Sequence, residues 1–274
     1  MEVIFTLSYW ASILEPRALW FAGLFAGFTL LGIWLPAKQG QKIFRDEYRT
    51  DVFYWFLIPL ICLPVYYFLT SIILTLLYGD DGAGLLQLLQ QGREPFTNWP
   101  LWLQVIAIRL IADLVDYWVH RSLHRSRLWK WHAIHHMPKE VDWLTSARSH
   151  PLNTLLELMS SGLVTVLIGF DPAAFAILVP FTLIYGAMVH SNVSWDFGPL
   201  RYVFASPRFH RWHHTSLELG GDKNYASVFA FIDLIFGTFY LPKDDRPDNH
   251  PFGIAESIPE NSFLKQTLWP FRQR

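Results

Sequence analysis

The sequence is poor in the residues on which most soluble and secreted proteins depend. Its 274 residues include one cysteine, Cys62, which excludes a disulfide framework, a cysteine-ligated zinc ribbon and an iron–sulfur cluster. Asp, Glu, Lys and Arg together make up 16%, where globular chains carry about 25%. These charges sum to −1, so no basic field exists to hold nucleic acid. The first basic residue is Arg17, so no positive segment precedes an early apolar run and a cleaved signal peptide is not expected. No H-E-x-x-H occurs, which disfavours a zinc protease.

What fills the chain instead is apolar: 52% hydrophobic, 17% aromatic, 13 Trp. A membrane-spanning helix needs about 20 mostly apolar residues. Residues 19–36 and 52–78 carry no charge and qualify, the second long enough to cross tilted or kinked at Pro59 and Pro64. Residues 101–119 are apolar apart from Arg109, Asp113 and Asp116. Residues 152–170 and 172–189 read as two spans joined by a tight hairpin at Asp171-Pro172. The last apolar stretch, 225–241, is broken by Asp233 and Gly237 and reads as a helix lying at the interface or beneath the bundle. The expected fold is therefore all-α, a polytopic membrane helical bundle of four to five spans.

Basic residues distribute unevenly between the loops. Lys38, Lys42, Arg45 and Arg49 follow the first span, Arg121, Arg125, Arg127, Lys130, Lys139 and Arg148 the third, and Arg201, Arg208, Arg211 and Lys223 the fifth. The opposite loops hold Arg93 alone. The positive-inside rule puts the three basic segments in the cytoplasm, and with them ten of the eleven histidines.

Those ten are clustered. His120 and His124 are four apart, so on a helix they share a face. Two repeats of H-x-x-H-H follow, His132, His135 and His136, then His210, His213 and His214, with His150 and His190 between them. On a helix, the first histidine of each repeat shares a face with the later pair. That adjacent pair diverges by about 100°, so each member can reach a different ion. Ten imidazoles exceed a tetrahedral zinc site and suit two ions with four or five nitrogen ligands each. Imidazole accepts Fe, Cu, Ni and Zn alike, so ligand type leaves the metal open. Asp116 and Asp113 lie one and two turns before His120 on its face, where a carboxylate can accept the distal N–H of a metal-bound imidazole. A histidine path for metal or haem transport is the rival reading, although a transporter gathers its polar ligands near the bilayer midplane.

The combined pattern resembles the fatty acid hydroxylase/sterol desaturase superfamily of integral-membrane di-iron oxidases. Three features carry the likeness over residues 100–242: the lead-in from Asp113 through Tyr117, Trp118, His120 and Arg121, the stretch from Pro207 to His214, and Asp222 to Tyr225 with Phe236 to Tyr240. The resemblance implies two irons that activate O2 to oxidise a C–H bond of a lipid, with zinc a substitute in purified protein. It implies as ligands His120, His124, His132, His135, His136, His210, His213 and His214, with His190 ninth and His150 tenth. Two departures stand out. Ser194 occupies the position four after His190, leaving Asn192 or a water to complete one iron, and Asn153 stands where many relatives carry an acid three residues after His150.

The implied organisation is N-terminal membrane helices (1–98), a catalytic domain (99–242) and a tail (243–274). The implied reaction is lipid hydroxylation, with desaturation or ether-lipid cleavage as alternatives. The chain has no redox carrier of its own, so the resemblance implies a separate donor of cytochrome b5 or ferredoxin type with its reductase, in a bacterial cell membrane or the endoplasmic reticulum. Trp118, Trp129, Trp131, Trp143, Trp195 and Trp212 crowd the histidines, either as an interfacial belt or as the wall of a lipid tunnel. His250 has no second haem ligand beside it and reads as a surface residue.

Overall fold

The computed structural model describes residues 7–79, 82–125, 127–259 and 261–272. Among them the regular structure is helical, with two isolated bridges, Pro36–Val193 and Thr215–Phe252, and no strands. We label the helices α1 (Leu7–Trp34), α2 (Tyr48–Tyr78), α3 (Gly82–Gln91), α4 (Leu101–Leu123), α5 (Trp129–His136), α6 (Pro151–Ile168), α7 (Pro172–His190), α8 (Pro207–His213), α9 (Phe231–Ile235) and α10 (Phe263–Leu268). Helix α6 is continuous but contains a π turn at Leu158–Gly162.

Among the described residues, four helical segments are long and apolar enough to cross a membrane: Leu14–Trp34 of α1, then α2, α6 and α7. Their outward faces leave Leu19, Phe53, Leu76 and Val179 exposed, an arrangement suited to lipid rather than water. These spans make the chain an integral membrane protein. Helix α4 is as long as they are but is not among the four. Arg109, Asp113 and Asp116 lower its hydropathy, and they lie on faces turned toward protein. The hairpin between α6 and α7 forms where expected. Gly169 takes φ +89, and Asp171 caps α7 by accepting the Ala173 N–H at 2.8 Å, ahead of Pro172 at the first helical position.

The expected helix over 225–241 does not form. Only Phe231–Ile235 is helical, because buried carboxylates capture the backbone donors before it. Asp113 accepts the N–H groups of Ser227, Val228 and Phe229. Asp233 accepts those of Tyr225 and Ala226. Burial pushes the Asp233 carboxyl up to about 6.

Above the spans, α5, α8 and the loops around them form a cap. Leu24, Trp55, Trp143, Leu144 and Ala187 pack α1, α2 and α7 against the short helix Trp143–Ala147. A buried ionic network fixes the same junction. Arg45 pairs with Asp51 and Asp142, and Arg148, fully buried, pairs with Asp51 and with Glu47 at 2.9 Å. The cap thus rests on the N-terminal helices through charge pairs as well as apolar contacts.

Candidate metal centre

The i, i+4 periodicity of the histidines sorts them into two groups. His120 and His124 from α4, His132 and His136 from α5, and His213 from α8 bring one ring nitrogen each to within 4.8 Å of one another. His135 from α5, His190 from α7, and His210 and His214 from α8 do the same. The two H-x-x-H-H repeats are complementary. In α5 the outer pair joins the five-histidine group and the middle residue the other, while around α8 the assignment reverses. Ser206 sets the start of α8, its Oγ accepting the Phe209 N–H at 3.1 Å.

Hydrogen bonds to the distal nitrogens orient the rings. Nδ1 lies 2.8 Å from the Tyr225 carbonyl in His120, 2.9 Å from that of Arg148 in His135, 2.7 Å from that of Gly186 in His190, and 2.7 Å from that of Lys223 in His213. A carbonyl only accepts, so each of these Nδ1 atoms carries the proton and each Nε2 a lone pair. His132 follows the same rule, with Nδ1 3.0 Å from Asn153 Oδ1.

The Nε2 atoms then face one another. His120 and His132 bring theirs to 3.0 Å, and His135 and His190 to 3.2 Å. Two lone pairs opposed at that distance make no hydrogen bond; they need a shared Lewis acid. Cis ligands on a metal with bonds of about 2.1 Å lie about 3.0–3.4 Å apart, so the donor set fits metal ions. Two further observations agree. His124 is buried with neither ring nitrogen partnered, and His213 Nε2 is likewise unpartnered. Burial, and next the neighbouring imidazoles, hold His132, His136, His210, His213 and His214 well below the ordinary value. Burial likewise brings His135 down to about 4. All six are therefore neutral near pH 7, the form that binds metal.

A cavity of about 400 Å³ adjoins both groups, with His120 and His132 of one and His135, His190 and His210 of the other on its wall. None of the six tryptophans flagged in the sequence lines it, which removes the tunnel role. Trp143 and Trp212 are core residues. Trp129 packs on His124 and His136, with ring centroids 5.2 and 5.4 Å apart.

The sequence profile of the fatty acid hydroxylase family matches residues 105–238, the stretch that carries every histidine of both groups. This region belongs to the fatty acid hydroxylase family. Similar proteins include an ornithine lipid hydroxylase of Rhizobium tropici, 32% identical over 65% of this chain and 53% of the relative. An alkylglycerol monooxygenase of Danio rerio is 31% identical over 62% of the chain and 38% of its own length. A methylsterol monooxygenase of Gallus gallus is 29% identical over 85% and 77%. The chain thus spans about half the length of the first of these relatives and less of the second. No solved structure matches it.

Four residues named from the sequence are placed elsewhere. His150 is outside both groups because both its nitrogens are taken. Nδ1 accepts the Leu152 N–H at 3.0 Å, capping α6, and Nε2 lies 3.0 Å from the Thr267 carbonyl. Asn192 follows the end of α7 and turns away, its Oδ1 accepting the Lys38 N–H at 2.8 Å and its Nδ2 donating to the Lys38 carbonyl. Asp113 touches no imidazole; it organises residues 227–229. Asp116 pairs with Arg109 at 2.9 Å. Neither aspartate accepts an imidazole N–H, because backbone carbonyls and Asn153 already do so. Those carbonyls leave no trace in a sequence, since every residue has one. Glu157 did leave a trace, as the only acid within the apolar run 152–170. An ionisable group inside a span is a functional candidate by default, and it lines the cavity.

Proposed function

We propose that this chain is an O2-dependent di-iron oxidoreductase that hydroxylates a membrane lipid, acyl or sterol-like. The observation that carries the proposal is the pairing of lone-pair-bearing imidazole nitrogens in two groups beside one cavity. In this reading residues 99–242 form the catalytic unit, residues 1–98 its membrane platform and residues 243–274 a tail braced on it. The five-histidine group holds one iron and the four-histidine group the other, with zinc able to replace iron in purified protein. Bound there, iron would supply the dioxygen-activating chemistry that C–H hydroxylation needs. The chain's own part is to keep the imidazoles neutral by burial and to aim five of them, His120, His132, His135, His190 and His213, through the carbonyls of Tyr225, Arg148, Gly186 and Lys223 and through Asn153. It also presents the substrate from the adjoining cavity.

Electrons come from a separate carrier of cytochrome b5 or ferredoxin type with its reductase. The basic loops put the histidine cap on the cytoplasmic side of a bacterial cell membrane or the endoplasmic reticulum. Ether cleavage is the second reading, favoured by the similarity to alkylglycerol monooxygenase. Desaturation would differ only in how the substrate carbon sits, and transport accords poorly with ligands gathered at helix ends.

The test supplies purified, iron-loaded protein with a chemical or enzymatic reductant, 18O2 and a lipid extract. The expected product is a lipid that gains one labelled oxygen, formed by wild type and not by His213→Ala. No O2-dependent product from protein holding about two irons would overturn the proposal.

A further inference from the structure

The cavity beside the histidines lies between α4, α6 and α7. From His190 it runs along α7 to Thr182, eight residues or about 12 Å of helix. Its volume is that of a small-molecule site, and its wall is mostly apolar by area, as suits part of a lipid. Three charged side chains interrupt that wall: Arg109, Asp116 and Glu157. In such a site the few polar groups fix what binds and how it is oriented.

Two of these charges satisfy each other. Arg109 donates to Asp116 at 2.9 Å, and what remains of its field falls on Asp113, 3.6 Å away. Glu157 has no such partner. It accepts one N–H, from Asn153 Nδ2 at 2.9 Å, and among the described residues no cation pairs with it. The charge acting on it is that of Asp116, of like sign. A carboxylate offers about four acceptor positions, so most of its capacity faces the cavity unfilled. An alkyl chain drawn across it would give those positions nothing, and a buried carboxyl without a cation neutralises by taking up a proton. An ammonium or other N–H-rich cation would fill it.

The distance to the metal-facing rings is short. Asn153 joins Glu157 to His132, since its Oδ1 accepts the His132 N–H at 3.0 Å. A cation held by Glu157 therefore lies one side chain away from the five-histidine group. We infer that the cavity takes an amphiphile whose polar end carries a cationic N–H group, held by Glu157, so that the carbon offered for oxidation lies within a few bonds of that group. The position of the oxidised carbon rests on the proposed function; the binding of the cation does not.

The experiment measures binding rather than turnover. A single-chain amphiphile ending in a primary ammonium and its neutral N-acetyl counterpart are titrated into the protein in maltoside micelles. Wild type should prefer the ammonium form by tenfold or more. Glu157→Gln, whose amide oxygen can still accept the Asn153 N–H, should bring the two within about twofold while metal content per chain is unchanged. Equal binding of both amphiphiles by wild type would overturn the inference, and this arm does not depend on any variant folding. A preference that survives in folded Glu157→Gln would overturn it too. Because neither arm requires oxygen incorporation, failure to oxidise any lipid would count against the hydroxylase reading alone.

Discussion

Asp113 is where the metal centre can be loosened without altering a histidine. Its side chain has no solvent exposure and accepts the N–H groups of Ser227 at 2.9 Å, Val228 at 3.1 Å and Phe229. The stretch it anchors also supplies the Lys223 and Tyr225 carbonyls to His213 and His120. Both histidines belong to the five-histidine group. Hydrogen bonds to an ionised acceptor contribute about 1.5–3 kcal/mol each, so Asp113→Ala, which orphans three donors, should cost about 5–9 kcal/mol. That rivals the total stability of a domain, about 5–15 kcal/mol, and the alanine variant should not be recovered folded. Asp113→Asn keeps one accepting oxygen and should cost about 2–4 kcal/mol, lowering the apparent melting temperature by about 5–15 °C. Its effect on metal should be selective. The four-histidine group takes no carbonyl from this stretch, so on the proposed two-metal reading metal per chain should fall by about half. Thermal unfolding in detergent and elemental analysis of the same sample read both effects. An Asp113→Asn protein with wild-type melting and wild-type iron would refute the claim that the carboxylate organises this side of the centre.

The two groups should also be separable directly. His213→Ala and His214→Ala, each measured for iron per chain, should each lose about one metal, and loss of both from either variant would mean that the groups are not independent. His150→Ala removes the cap of α6 and the tie to Thr267, so it should cost about 1 kcal/mol of stability and leave metal content unchanged; depleted metal would return His150 to the ligand set. Arg148→Ala removes one of the two arginines that Asp51 and Glu47 share, leaving Arg45, a loss of up to about 3–5 kcal/mol that thermal unfolding would detect, and a variant as stable as wild type would discount the network. Cys62 is buried, so a cysteine introduced at the exposed Arg125 should be labelled by an impermeant thiol reagent only from the cytoplasmic side; labelling of intact cells from outside would reverse the orientation.

The grouping of the histidines was legible because helical geometry converts spacing into direction. A separation of four puts His132 with His136 and His210 with His214, while a step of one sends His135 and His213 across to the opposite groups. Which of these pairs joins His120 and His124 was not legible, because that depends on how α4, α5 and α8 pack against one another. The spans were legible on similar grounds, since an uncharged run of sufficient length has few other uses. Glu157 was passed over by the same averaging that found the spans: one acid barely lowers the hydropathy of α6. Yet a lone carboxylate in such a run is the least expected residue there and so the most informative.

His150 and Asn192 misled for a different reason. Each sits at a helix terminus beside residues of the site, where one torsion decides whether the side chain faces inward. His150 has ψ 140 and caps α6. After α7 the chain leaves the helix at Ser191, with ψ 153, and carries Asn192 toward Lys38. Spacing along a sequence extrapolates only while the helix continues. The aspartates pose the converse problem, because helical spacing does put Asp113 and Asp116 on the face of His120. What the spacing cannot reveal is competition for the distal nitrogen. His120 Nδ1 has one proton to give, and the Tyr225 carbonyl takes it; that carbonyl is in place because Asp113 and Asp233 hold the neighbouring amides. Asp113 thus bears on His120 through the backbone of another segment, which is also why residues 225–241 could not become the helix that their composition suggested.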